Sequence, residues 1–63
     1  MTSAKIIKSI GTKNFEVTLL QLDSGSYCVL TVQDEKEVFS EPIRDLTNAR
    51  FVFEAKFIEL QGH

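Results

Sequence analysis

The spacing of apolar residues changes once along this chain, and that change constrains the fold more than any other feature of the sequence. Before Ser40, apolar residues alternate with polar ones or form short β-branched runs, as in strands. Beyond Asp45 they recur every three or four residues, which is the spacing of one helix face. That stripe consists of Leu46, Ala49, Phe53, Phe57 and Leu60. The order predicts an α+β chain in which strands precede one helix.

Short polar turns divide the first part of the chain into strand candidates. We expect strands over 5–10, 15–22, 27–33 and 37–40, separated by turns at 11–14, 23–26 and 34–36. Pro42 ends the last strand, because proline cannot donate a ladder hydrogen bond. Short turns favour sequential antiparallel pairing. We therefore predict one domain over 1–63, an antiparallel β-meander of three to four strands with a C-terminal helix packed on one face.

The helical segment also allows a second interpretation, because apolar residues over 51–57 alternate as in a strand. We favour the helix, because the segment is long, has no internal turn residue and is rich in helix formers. Asp45 or Thr47 is suited to cap its start, without a capping box. Gly62 lies where a C-cap glycine is expected.

One helix covers only one face of a sheet, so the strand residues divide into a covered and an uncovered set. We expect the covered set to be Phe15, Val17, Leu19, Cys28, Leu30 and Val32. Further apolar residues occupy the opposite phase of the second and third strands, namely Leu20, Leu22, Tyr27 and Val29. The helix likewise carries a second apolar stripe opposite the first, Phe51, Ala55 and Ile58. A helix that is apolar on two sides is usually covered on two sides.

The length of the chain gives this apolar surplus its weight. A core built from 63 residues supplies about 3–5 kcal/mol of net stability, so such chains often need a disulfide, a metal or oligomerisation. One cysteine, Cys28, and one terminal histidine, His63, complete neither a disulfide nor a tetrahedral zinc site. We therefore predict a non-catalytic interaction module that forms a homodimer or docks on a larger protein. The expected contact residues are Phe51, Ala55, Ile58, Leu20, Leu22, Tyr27 and Val29. The alternative is that these apolar residues are scattered over a monomer surface, as is common.

Residues that could support catalysis are sparse. Cys28 is expected mid-strand in the core, far from the one imidazole, so no nucleophile has a base beside it. The acidic residues of 34–37 lack the spacing of a calcium loop, and no phosphate-binding loop is present. We predict that the protein is not an enzyme and binds no metal or cofactor. No small-molecule substrate is inferred.

A second functional hypothesis is single-stranded nucleic-acid binding by the uncovered sheet face. Tyr27 would stack on bases while Lys5, Lys8 and Lys13 contact phosphates. The net charge of −2 disfavours this hypothesis, because binding to phosphates depends on lysine and arginine. No apolar run reaches the ~18 residues of a membrane span, and the start of the sequence lacks the apolar stretch of a signal peptide. With a free thiol, we expect a cytoplasmic protein that has no membrane contact.

Overall fold

The computed structural model describes residues 4–62 and confirms the expected order of elements. The elements are β1 (Ala4–Gly11), β2 (Phe15–Leu22), β3 (Tyr27–Gln33), β4 (Lys36–Phe39) and α1 (Leu46–Gln61). The strands pair antiparallel in the order β1-β2-β3-β4, and the helix packs against β2 and β3. The predicted bounds of β2 and β3 are confirmed, β1 extends one residue further at each end, and β4 starts and ends one residue earlier than expected. His63 lies outside the described residues.

The start of α1 is fixed by two hydrogen bonds that Asn48 donates to Asp45. Asp45 is the N-cap, and its Oδ2 accepts from the backbone N–H of Asn48 at 3.0 Å. The Asn48 side-chain Nδ2 also donates to Asp45 Oδ1 at 2.7 Å. The cap satisfies one of the backbone donors that a helix leaves free at its start. Of the two candidate caps, Asp45 is confirmed, and Thr47 lies inside the first turn.

The core forms where α1 crosses β2 and β3. Ala49 and Phe53 are the buried residues of the helix, and the Phe57 ring lies 5.5 Å from the ring of Phe15. The alternative interpretation of 51–57 as a strand is therefore wrong, because this segment is helical. Phe53 packs against the sheet, and Phe51 lies on the exposed side of α1. The buried core consists of Phe15, Val17, Leu19, Val29, Ala49 and Phe53.

The face of β3 that α1 covers is the opposite of the one expected. Leu19 pairs with Val29, and Gln21 pairs with Tyr27, so Tyr27 and Val29 lie under the helix beside Leu19. The reason is the length of the connection, since hairpin register follows from the turn. Residues 22–26 join the paired positions Gln21 and Tyr27, and this places odd-numbered residues of both strands on one face. The predicted core positions Cys28, Leu30 and Val32 therefore belong to the uncovered face.

Truncation of the central helix ring should unfold the protein. Phe53 is 2% exposed and Phe51 is 74% exposed on the same helix. We expect Phe53→Ala to lower the free energy of unfolding by about 3–5 kcal/mol, because it removes a buried ring and leaves a cavity. Phe51→Ala is the matched control, with an expected change of about 0.5 kcal/mol or less in the monomer. Urea denaturation followed by circular dichroism measures both; equal losses in the two variants would contradict this packing.

A second stability prediction concerns the turn between β3 and β4. Asp34 and Glu35 have φ values of 54° and 65° and connect the paired residues Gln33 and Lys36. Positive φ at both central positions matches a type I′ turn, for which glycine is favoured at the second position. Glu35→Gly should therefore raise the free energy of unfolding by about 0.5–1 kcal/mol. Glu37→Gly, within β4, should lower it. A stability loss at position 35 in the same denaturation experiment would show that this turn is not strained.

Candidate protein-interaction surface

The side of the sheet that faces away from α1 carries a continuous group of apolar side chains. Cross-strand partners share a face, so the register assigns these residues directly. Ile6 pairs with Leu20, which pairs with Cys28, and Leu30 in turn pairs with Phe39. We call this surface the open face. Its apolar residues are Ile6, Leu20, Leu22, Cys28, Leu30, Val32 and Phe39.

Exposure on the open face increases from the middle strands to the edges. Leu20 and Cys28, on the two central strands, are buried. On the edge strands, Ile6 is 64% exposed and Phe39 is 59% exposed. The helix lies on the opposite side of the sheet, so same-face neighbours and the chain after β4 shield the centre. The open face thus has a shielded centre and two bare apolar margins.

Polar groups near the centre of this face are satisfied within the chain. Ser40 Oγ accepts from the backbone N–H of Val29 at 2.9 Å, and the Cys28 thiol contacts the Ser40 carbonyl oxygen at 3.4 Å. Thr18 Oγ1 and Ser9 Oγ form a 3.1 Å hydrogen bond. Within residues 4–62, every buried side-chain nitrogen or oxygen has a hydrogen-bond partner. The centre therefore offers a partner no free polar groups, and the apolar surface open to contact lies at the margins.

Charge on the open face lies at one end and is acidic. Glu16 and Glu37 flank Val32 in the row nearest the β1–β2 turn. The register places no lysine or arginine of strands β1–β4 on this face. The register places no charged residue of strands β1–β4 at the other end of this face, around Leu22. The two ends of the open face therefore differ in charge, with the negative end near the β1–β2 turn.

The outer face of α1 is a second exposed apolar surface, on the other side of the molecule. Phe51, Ala55 and Ile58 are all exposed, as their position opposite the core stripe predicts. The predicted contact residues thus separate into two surfaces, because Leu20 and Leu22 lie on the open face. The expected exposure of Tyr27 and Val29 is wrong, since both lie on the helix side.

The sequence alone does not predict several residues of the open face. Alternation places Cys28, Leu30 and Val32 on the covered side, because it does not reveal how β2 pairs with β3. Ile6 and Phe39 carry no distinguishing pattern, although both are large. The signal available was the five-residue connection over 22–26, which sets the common phase of the two strands.

The residues of the nucleic-acid hypothesis do not assemble on the open face. Tyr27 is half-buried against the core, and its backbone exchanges hydrogen bonds of 2.7 and 2.8 Å with Ile43. The Lys8 ammonium lies 5.6 Å from the centre of the Phe53 ring, on the helix side. Lys5 shares that side through its pairing with Gln21. Tyr27, Lys5 and Lys8 therefore lie on the helix side of the sheet rather than on the uncovered face where the hypothesis places them. Lys13 lies in the turn between β1 and β2.

Other site classes and relatives give no further assignment. Across residues 4–62, no three His, Cys, Asp or Glu side chains are grouped as metal ligands would be. No helix in the same range has the length and apolar character that crossing a membrane requires. Comparison with known proteins finds no matching family model, no matching curated protein and no matching solved structure. The candidate sites of this protein are therefore its exposed apolar surfaces.

Proposed function

We propose that this protein is a non-catalytic interaction module that forms a twofold-symmetric homodimer, in which the open faces of two copies pack together. The observation that carries the proposal is the contiguous apolar group on the side of the sheet away from α1. It supports sheet-on-sheet packing, which is how a sheet with a second apolar face is normally covered. The helices then lie outermost, and the dimer has four layers.

The free energy of burying the margins is large for so small a protein. Ile6 and Phe39 are both more than half exposed in the isolated chain. Full burial of such a side chain contributes about 1.5–3 kcal/mol, so covering the part that is still exposed contributes about 1–2 kcal/mol for each. Two margins in each copy then contribute about 2–4 kcal/mol, which is comparable to the ~3–5 kcal/mol of net stability that a core of this size supplies. Dimerisation thus takes the place of the disulfide or metal on which other small domains depend.

The area of the face suits a partner of equal size. β1 and β2 have eight residues each and are about 26 Å long, whereas β4 has four residues and is about 13 Å long. With strands about 4.8 Å apart, the face has an area of about 430 Å² before side-chain relief is counted. Two such faces give about 860 Å², and side-chain relief brings the total near the ~1,000 Å² of a small specific interface. A second copy of the sheet matches the face in size.

The acidic end of the face selects both the partner and its orientation. Glu16 and Glu37 repel phosphates, which disfavours nucleic acid as the occupant of this surface. The twofold axis of a face-to-face dimer lies in the plane between the two sheets. If this axis runs perpendicular to the strands, the acidic ends of the two copies lie at opposite ends of the interface. An axis parallel to the strands would place like charges across from each other, which is destabilising. We therefore infer the perpendicular axis.

The test compares two adjacent residues of β4 that point to opposite faces. Phe39 is 59% exposed on the open face, and Val38 is 61% exposed on the helix side. We expect sedimentation equilibrium at tens of micromolar to give a dimer for the native chain. Phe39→Glu should raise the dimer dissociation constant about a hundredfold or more, because an unpaired carboxylate buried in apolar contact costs several kcal/mol. Val38→Glu should leave it within about threefold.

A further variant separates the two apolar surfaces. Phe51→Glu, on the outer face of α1, should remain dimeric, since the helices are outermost in this arrangement. A monomeric native chain at 100 µM would contradict the proposal, whatever larger partner the chain binds. Dissociation of Phe51→Glu with retention of the Phe39→Glu dimer would instead identify the helix as the interface. The expected cytoplasmic location stays a prediction.

A further inference from the structure

A groove separates the edge strand β1 from the helix. Because α1 packs on β2 and β3, it leaves the helix side of β1 uncovered. The groove encloses a cavity of about 240 Å³. Its lining is formed by Lys8, Ile10, Phe53, Glu54, Phe57 and Ile58. This volume is below the ~300–1,000 Å³ of sites for drug-sized ligands, so it suits one large side chain of a peptide.

The backbone edge beside this groove has no strand partner in the sheet. β1 is the first strand in the order β1-β2-β3-β4, so one of its edges remains open. The face-to-face dimer would not cover this edge, because it uses the open face. An exposed strand edge is a template for an added strand, with main-chain hydrogen bonds that supply affinity. The edge and the cavity lie side by side along β1.

A β-bulge in β1 brings two lysines to the side of the sheet that borders the groove. Pairing shifts between Ile6 and Lys8, so Ile7 is an additional residue in β1. Without this shift, residues 5 and 8 would point to opposite faces, because side chains alternate along a strand. With it, Lys5 pairs with Gln21 and Lys8 pairs with Leu19, and both lysines lie on the helix side. The insertion concentrates two positive charges beside the groove.

These lysines have no carboxylate partner in the described chain. Among residues 4–62, the ion pair that the structure contains is Lys56 with Glu59, on the helix. The groove lining contains one acidic residue, Glu54, while β1 carries two lysines, Lys5 and Lys8, on the side of the groove. The positive charges are therefore in excess. Pairing of β1 with β1 of a second copy would bring these lysines close together. Their repulsion disfavours such self-pairing, which is a common role of lysine on edge strands. The charge therefore favours an acidic strand from another protein.

We propose that this groove binds an extended acidic segment of a partner protein as a fifth strand of the sheet. Its main chain pairs with the free edge of β1. One apolar side chain enters the cavity against Ile10 and Phe57, and carboxylates on the same face of the segment contact Lys5 and Lys8. The site is independent of the proposed dimer, because the two use different surfaces.

The experiment selects octapeptides from a random phage-displayed library on the immobilised full chain. We expect the enriched peptides to contain two or more acidic residues in alternation with an apolar residue. Fluorescence anisotropy of one labelled, enriched peptide then gives its dissociation constant. Lys8→Glu and the groove-rim variant Ile58→Glu should each raise this constant about tenfold or more. Lys36→Glu, on the opposite edge strand, is the matched control and should change it less than twofold.

Two results would overturn the proposal. The first is a library that shows no enrichment, or enrichment of peptides without acidic residues. The second is an equal loss of affinity in Lys8→Glu and Lys36→Glu, which would indicate attraction to net charge alone. Circular dichroism confirms that each variant is folded, and Ile58 is 67% exposed, so its substitution tests the groove even where Lys8→Glu is unstable. Phe39→Glu should bind the peptide unchanged, which separates failure of this site from failure of the dimer.

Discussion

The packing of α1 against β2 and β3 forms the core of this protein and decides which parts of the sheet stay exposed. Ala49 and Phe53 lie on the side chains of Val17, Leu19 and Val29, and this contact contains nearly all the deeply buried apolar residues. The helix has 16 residues and covers one face of two strands. The margins of the other face, at Ile6 and Phe39, and the helix side of β1 remain exposed as a direct result. The two proposed surfaces are the parts of the sheet that one helix does not reach.

Much of this fold follows from local patterns in the sequence. The bounds of β2 and β3, the Asp45 cap and the outward position of Phe51 and Ile58 are predictable, because hydrophobic period and turn chemistry act over a few residues. The phase of β3 was predicted wrongly, because it depends on how two strands pair. Alternation alone gives each strand two equivalent faces, and only the connection decides which face joins its neighbour.

The candidate surfaces illustrate the same limit. Leu20 and Leu22 were expected on an uncovered face, while Ile6 and Phe39 at its margins have no distinguishing local pattern. The bulge in β1 is likewise invisible in a single sequence, although it brings Lys5 and Lys8 to one side. A site that arises from register requires coordinates, because register is a property of two segments. Composition did indicate the essential point, that this chain carries more apolar surface than one helix can cover.

Intermolecular contacts across the open face test the proposed dimer directly. An isotope-filtered nuclear Overhauser experiment on a mixture of ¹³C-labelled and unlabelled chains detects only contacts between copies. We predict cross-peaks from the methyl groups of Leu30 to the Phe39 ring of the other copy, because the perpendicular twofold axis stacks β4 on β4 of the other copy. Spectra in which a dimer forms but these methyl groups show no intermolecular cross-peaks, or in which Phe51 and Ile58 supply all of them, would contradict dimerisation through the open face.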